Sequence, residues 1–168
     1  QETLNGRSLI FHKSHPQVIS ALKSLGSIYT LQDKHELAVE TYSKVKMIIV
    51  QSKGEQHPDV MPILNELAKN HRKLDDFEKA IGCYHRLLQL QQLHLPADDP
   101  KIIRTLQRLI QGYIDSKQYE KVVDTYVRYL DKSLQLNLMT PTSLSKAFSS
   151  IMKYGSRVNN TNQVLRVY

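Results

Sequence analysis

Seven histidines and one cysteine are the residues of this sequence that could bind a metal ion or act as a nucleophile. No two histidines have the His-Glu-x-x-His spacing of a zinc-binding helix, and Cys83 belongs to no cluster of cysteines and histidines. The sequence also has no glycine-rich phosphate loop and no nucleophile elbow. These patterns predict a protein that is not an enzyme, with no catalytic residues, no metal site and no cofactor.

The histidines and the cysteine have simpler structural interpretations. His15 and His57 each precede a proline, which is typical of a helix start, so we interpret them as capping residues. His71 takes the place that tyrosine holds in two other segments, which predicts a half-buried core position. Cys83 is expected to be a packed small side chain, because an adjacent tyrosine belongs to the core pattern described below.

Basic and amide side chains recur at positions that would share one face of a helix, and this face is the most informative surface of the chain. Lysine and arginine could pair with the carboxylates of a ligand, while asparagine and glutamine could bond its backbone amides. This face comprises sixteen positions, four on the first helix of each of the four repeats described below, and none of them is acidic. The candidate peptide-binding residues on it are Lys23, Ser27, Asn65, Lys69, Arg72, Arg104, Gln107, Gln111, Lys146 and Lys153.

The segments that carry these residues repeat every 42 positions. Pro16, Pro58 and Pro100 have this spacing. A second set with the same spacing consists of Tyr42, Tyr84, Tyr126 and Tyr168. Self-similarity at a period of this length indicates a repeat array.

Each repeat is predicted to contain two helices, because apolar residues recur three and four positions apart on both sides of a polar break. The first helix is expected to begin at the proline, with Asp99 and Thr140 as further capping residues. Its predicted core, repeat by repeat, consists of Val18, Leu22, Leu25 and Tyr29; Val60, Leu64, Leu67 and His71; Ile102, Leu106, Leu109 and Tyr113; and Leu144, Phe148, Ile151 and Gly155. The predicted core of the second helix includes Ala38, Tyr42, Ala80, Tyr84, Val122, Tyr126, Val164 and Leu165.

The spacing divides the chain into one solenoid domain. Residues 1–14 are expected to be the tail of a preceding repeat or an N-terminal extension. The repeats are predicted at 15–56, 57–98 and 99–140, with a partial repeat at 141–168. Since Tyr168 falls within a repeat, we expect the chain to be a fragment of a longer protein.

The pattern of small and aromatic residues within each unit resembles the tetratricopeptide repeat, and the 42-residue unit with its His57-Pro58-Asp59-Val60 segment resembles kinesin light chains. The positions that carry the resemblance are Gly26, Ala68, Tyr29, Tyr113, Phe77, Tyr119, Ala38 and Ala80. The resemblance implies an all-α fold, a right-handed α-α superhelix (solenoid) of helix-turn-helix repeats.

This resemblance also implies a non-enzymatic adaptor or scaffold whose first helices line a concave groove for a short acidic or acidic-aromatic peptide. Asn65 lies where kinesin-light-chain-like repeats carry a groove asparagine. Arg108 joins the candidate residues because Lys23, Arg104 and Arg108 match three positions of the carboxylate clamp of chaperone-binding tetratricopeptide domains, although Ser27 and Glu66 replace its asparagines. The implied setting is a motor or cargo adaptor complex in the cytoplasm, associated with the cytoskeleton.

Composition leaves two other functions open. The formal net charge of +7 favours acidic partners, which include nucleic acid, but no RNA-binding aromatic motif is present. An assembly scaffold that packs on another subunit, or on itself, through its second helices and exposed ends is the other alternative. No apolar stretch reaches the roughly 18 residues of a membrane-spanning helix, and no small-molecule substrate is expected.

Overall fold

The computed structural model describes residues 16–158, which form seven α-helices and no strand. The helices are α1 (Pro16–Leu31), α2 (His35–Lys53), α3 (Val60–Lys73), α4 (Phe77–His94), α5 (Pro100–Asp115), α6 (Tyr119–Gln135) and α7 (Pro141–Val158). The predictions for residues 1–14, for His15 and for Val164, Leu165 and Tyr168 lie outside the described residues.

The chain divides into two compact units, Gln1–Leu90 and Gln91–Tyr168. In the first unit α2 packs against both α1 and α3, and in the second unit α6 packs against both α5 and α7. Each unit therefore presents the first helices of two consecutive repeats with a second helix packed against both.

The predicted start of α5 is confirmed. Asp99 is the N-cap, its side chain accepts a hydrogen bond from the backbone N–H of Lys101 at 2.8 Å, and Pro100 follows at the first helical position. At the start of α7, the hydroxyl of Thr140 accepts a bond from the backbone N–H of Ser143 at 3.2 Å. Both caps satisfy donors that the helix itself leaves unpaired.

The prediction that every first helix begins at its proline is wrong for α3. The helix begins at Val60, and the backbone N–H groups of Val60 and Met61 bond to carbonyls three residues earlier, at His57 and Pro58. This short turn comes before the α-helix. His57 still acts locally, since its Nδ1 accepts a bond from the backbone N–H of Asp59 at 3.2 Å.

The turns between the two helices of a repeat share one backbone conformation. Asp33, Asp75 and Lys117 all have a left-handed φ between 55° and 60°, and they are spaced by the repeat length. Each of these residues lies in the turn between the first and the second helix of its repeat. The repeat is thus present in the backbone as well as in the side-chain pattern.

Burial confirms most of the predicted core but not its first helix. Leu64, Leu106 and Tyr84 are at most 2% exposed. In α1, by contrast, Val18 and Leu25 are exposed and Gly26 is the one buried residue. The prediction that Val18 and Leu25 belong to the core is therefore wrong, because no described helix covers that side of α1.

Gly26 is needed where α1 crosses α2. A Cβ atom at this position would come within 2.9 Å of Cζ of the Tyr42 ring, closer than such atoms approach each other in proteins. The absent side chain lets the ring of Tyr42, which is 4% exposed, lie directly on the backbone of α1. A close helix crossing in the first unit follows from this one residue.

The first unit also contains a buried polar contact that connects three helices. The Asn70 side chain of α3 is fully buried, and its Oδ1 lies 3.1 Å from the Thr30 hydroxyl of α1 and 2.9 Å from Nδ1 of His35 at the start of α2. Its Nδ2 donates to the backbone carbonyl of Glu66 at 2.9 Å. Because both polar ends of the amide are bonded, its burial does not leave an unpaired group.

Candidate peptide-binding surfaces

In the first unit the predicted residues are accessible but share their surface with a carboxylate. Ser27 and Lys69 are exposed, and Lys23, Asn65 and Arg72 are half-buried. The Glu66 carboxylate accepts hydrogen bonds from Asn65 Nδ2 at 3.0 Å and Lys69 Nζ at 2.7 Å. Two of the candidate residues are therefore already paired with an acidic neighbour, which the pattern of a single helix face did not include.

The Tyr42 hydroxyl lies close to this surface. It interacts with the side chains of Ser27 and Thr30 on α1. Burial raises the pKa of Tyr42, the nearby Glu66 carboxylate raises it further, and the two hydroxyl partners oppose the shift. The phenol therefore stays neutral at the crossing of α1 and α2.

A second acidic residue lies near Lys23. The carboxylate of Asp59 lies 2.6 Å from Nζ of Lys53, and this hydrogen bond is the main reason why its pKa is lowered. The charges of Lys53, His57 and Lys23 lower the pKa of Asp59 further. Acidic side chains of the first unit therefore neutralise lysines of the same unit, as Asp59 does for Lys53 and Glu66 for Lys69.

In the second unit the candidate residues of α5 form its solvent-facing side. Arg104, Gln107 and Gln111 are exposed, and Arg108 is half-buried. Gln107 Nε2 donates to the Tyr129 hydroxyl at 3.2 Å, and Gln111 Nε2 donates to Asp115 at 2.7 Å. The two amides are thus held in place by neighbours.

The outer side of α7 combines charge with an apolar groove. Lys146 and Lys153 are exposed along one line of the helix. The adjacent line contains a groove of about 700 Å³, lined by Pro141, Leu144, Ser145, Phe148, Ser149 and Met152. Met152 is 48% exposed, so the apolar part of the groove is open to solvent.

An aromatic and cationic cluster in the second unit was not identified from the sequence. The rings of Tyr119 and Tyr154 stack with centroids 5.6 Å apart, and the guanidinium of Arg157 lies 5.1 Å from the Tyr119 centroid. Lys153 Nζ lies 5.4 Å from the Tyr154 centroid. One signal was available: Tyr119 and Tyr154 are two repeat lengths after His35 and Asn70, which also contact each other.

His71 and Cys83, two residues whose types could support chemistry, both lie in packed positions. His71 is half-buried as predicted, with Nδ1 3.6 Å from Asp76 and without a hydrogen-bond partner in the described part of the chain. Burial raises the pKa of the half-buried Cys83 thiol, in agreement with its predicted packing role. Among residues 16–158 there is no group of three metal-ligating side chains, and no helix is long and apolar enough to span a membrane.

Comparisons with known proteins match these observations. The tetratricopeptide repeat family model matches residues 17–92. The chain is similar to the TPR-like repeats of a Podosopora anserina protein described as a kinesin light chain (TM-score 0.72, 15% identity, 96% of this chain and 79% of that one). It is also similar to BtubC (BKLC) of P. vanneervenii, with a TM-score of 0.71, 19% identity and coverage of 96% of this chain and 66% of that one.

A third similar solved structure is the complex of the TPR2B domain of yeast Sti1 with pHsp70. Its TM-score is 0.56 at 17% identity, covering 83% of this chain and 97% of that domain. A comparison with curated protein sequences gives no match. The predicted all-α repeat fold and its resemblance to kinesin light chain repeats are confirmed, whereas the eleven candidate binding residues remain predictions.

Proposed function

We propose that this protein binds a short acidic or acidic-aromatic peptide of a partner protein, because residues 17–92 match the tetratricopeptide repeat family model and the chain is similar in fold to solved repeat proteins of this kind. Tetratricopeptide repeats are protein–protein interaction modules, and they are typically non-enzymatic. The finer proposal concerns the chemistry of the peptide and the surface that receives it. The second unit is the better candidate for this surface.

The observation that carries the proposal is the pairing of groove and cations on α7. An apolar groove lined by Leu144, Phe148 and Met152 lies beside the exposed amines of Lys146 and Lys153. An aromatic side chain in the groove would place neighbouring carboxylates of the same peptide next to these amines. Charge complementarity therefore favours a peptide that contains both kinds of residue.

The charge of the second unit supports the same partner. Residues 91–158 contain ten basic and six acidic residues, whereas residues 16–90 contain ten and nine. An anionic peptide approaching the second unit meets a larger net positive charge, which speeds association and lowers the dissociation constant at low salt.

The setting is part of the same proposal. The likeness to kinesin light chain repeats supports a motor or cargo adaptor complex as the source of the peptide, in the cytoplasm and near the cytoskeleton. The candidate residues of the first unit would contribute less, because Glu66 would repel an acidic peptide beside Asn65 and Lys69.

Fluorescence anisotropy with two labelled peptides tests this proposal. The first is a nonapeptide of aspartate and glycine with one central tryptophan, and the second has glycine in place of the tryptophan. Reversing both charges, Lys146→Glu with Lys153→Glu, should weaken binding of both peptides by roughly tenfold or more, since two attractions become repulsions. Met152→Ser, which removes the apolar contact without adding a charge, should weaken only the tryptophan peptide.

Arg128→Glu is the matched control, because it reverses one exposed cation on α6 of the same unit. Equal losses with Arg128→Glu and the α7 variants would show a general charge effect and contradict the site. Sedimentation that shows concentration-dependent association abolished by Met152→Ser would instead favour an assembly scaffold. Binding of a DNA or RNA oligonucleotide in preference to both peptides at matched salt would favour the nucleic-acid alternative.

A further inference from the structure

Two cations converge on one tyrosine ring near the end of α7. Lys153 Nζ lies 5.4 Å and the Arg157 guanidinium 5.8 Å from the centroid of Tyr154. The two residues are one helical turn apart, so their charges are neighbours on the same face. The stacked ring of Tyr119, 5.1 Å from the guanidinium, contacts Arg157 as well.

Neither cation has an ion-pair partner among residues 16–158, and the repeat shows why. Lys69, two repeat lengths before Lys153, bonds to Glu66 at 2.7 Å. The residue equivalent to Glu66 in the second unit is Ser150, whose hydroxyl donates to the Lys146 carbonyl of its own helix at 2.9 Å. The carboxylate that neutralises the lysine in the first unit is thus missing in the second.

The rings of Tyr119 and Tyr154 restrict the movement of the Arg157 guanidinium without occupying its hydrogen-bond donors. A guanidinium over aromatic rings is held by cation–π and stacking interactions, which leave its N–H edge available to accepting oxygens. Two like charges one turn apart repel each other, and an anion bound to both removes the repulsion. The arrangement therefore presents a partly ordered pair of positive charges to solvent.

We propose that Lys153 and Arg157, supported by Tyr119 and Tyr154, bind the phosphate group of a phosphorylated residue in the partner peptide. A phosphate carries close to two negative charges near neutral pH and offers three oxygens, which match an ammonium and a planar guanidinium better than a single carboxylate does. The identity of the partner rests on the proposed peptide-binding function, but the anion site can be tested without any peptide.

The test is an NMR titration of the ¹⁵N-labelled 168-residue chain with N-acetyl-phosphoserine amide near pH 7.5 and, separately, with N-acetyl-aspartate amide. Resonance shifts should concentrate around Tyr154 and Arg157, with roughly fivefold or greater preference for the phosphoserine compound. Arg157→Gln and Lys153→Gln should each weaken its binding by roughly fivefold or more, while Arg128→Gln should not. Arg157→Lys, which keeps the charge but not the planar stack, should be intermediate.

Three results would overturn this proposal. The first is a set of resonance shifts spread over all cationic residues, and the second is an equal affinity for the phosphoserine and aspartate compounds. The third is an Arg157→Gln variant that melts at a lower temperature but binds the phosphoserine compound as tightly as the parent chain does. The last result would mean that Arg157 only stabilises the helix end. Met152→Ser separates the two proposals, since it should abolish the aromatic preference for peptides and, because it adds no charge beside Lys153, leave phosphoserine binding intact.

Discussion

The same junction between repeats occurs in both units with different chemistry. In the first unit the buried Asn70 bonds to His35 at the start of α2, and in the second unit Tyr154 stacks on Tyr119 at the start of α6. These pairs occupy equivalent positions, two repeat lengths apart. The repeat therefore determines which positions meet, and the residue types determine whether the contact is polar or aromatic.

A second difference follows from the same equivalence. The lysine next to the junction is neutralised by a carboxylate in the first unit, Lys69 with Glu66, and packs on a tyrosine in the second, Lys153 with Tyr154. The same repeat therefore gives a surface in the first unit whose lysine is neutralised by a carboxylate, and a surface in the second unit whose lysine has no such partner among the described residues. Equivalent positions in a repeat protein need not have equivalent functions.

The largest expected effect is the loss of the aromatic junction. Tyr154→Ala removes a side chain that is 9% exposed and leaves the Tyr119 ring without its stacking partner. We expect the free energy of unfolding of the second unit to fall by about 3–4 kcal/mol. Urea denaturation followed by circular dichroism measures it, with Tyr154→Phe as the control that keeps the ring. Similar losses in both variants would show that the hydroxyl, rather than the stack, carries the stability.

Loss of the polar junction should cost somewhat less. Asn70→Ala removes an acceptor shared by the Thr30 hydroxyl, which keeps its bond to the Gly26 carbonyl, and the His35 ring. The expected loss for the first unit is about 2–3 kcal/mol, because the hydrogen bonds of a fully buried amide are lost and a cavity remains in its place. Asn65→Ala removes the same group from a half-buried position on the same helix and should cost much less in the same denaturation experiment. Equal costs would contradict a special role for the buried contact.

The sequence predicted which positions recur but not these contacts. The 42-residue spacing gave the helices and the buried Leu64, Leu106 and Tyr84 because those residues follow the helical period. Asn70 and Tyr154 do not share a residue type, so no pattern connected them. The exposure of Val18 and Leu25 could not be read from α1 alone, since burial depends on the helices packed against it.

The sequence predicted which residues of the candidate surface are accessible, but not which of their neighbours contact them. All eleven residues are exposed or half-buried, as a helix-face argument requires. Glu66 lies off the predicted face by sequence, but its long side chain reaches Asn65 and Lys69. The start of α3 differed because the turn after His57 delays the helix by two residues beyond Pro58.

Exchanging the carboxylate between units would sharpen the comparison of charges. Ser150→Glu should give Lys153 the partner that Lys69 has, and weaken the anisotropy-detected binding of the aspartate peptides by roughly fivefold through repulsion. Glu66→Ser should have the opposite sign in the first unit and strengthen binding slightly. Ser150→Gln, of the same size but uncharged, is the control. An equal loss with glutamine would indicate steric rather than electrostatic interference.

The smallest effect concerns the pH dependence of the first unit. Burial lowers the pKa of His71 below its ordinary value of 6.5, although the Asp76 carboxylate opposes the shift. Just below pH 6.5 the unfolded chain therefore binds a proton that the folded unit does not, so stability decreases as the pH falls from about 7 through this range. Thermal melts between pH 7 and 5 should show the decrease in the parent chain.

His71→Tyr, which restores the residue found at the equivalent Tyr113, should flatten the thermal-melt profile over this range. The lowered pKa values of Asp59 and Asp76 do not interfere, because those carboxylates lose their charge below their ordinary value of 3.8. An unchanged slope in the His71→Tyr variant would assign the pH dependence to another group.

The fully enclosed amide of Asn70 bears on how the repeats find their neighbours during folding. Modules with alike outer faces can associate in the wrong order, a known hazard of repetitive chains. If α7 took the place of α3, a tyrosine would face His35 and Thr30, and the His35 ring would lose the buried amide acceptor that Asn70 provides, while Thr30 would keep only its bond to the Gly26 carbonyl. The free energy lost with this hydrogen bond disfavours the packing of α7 in the position of α3.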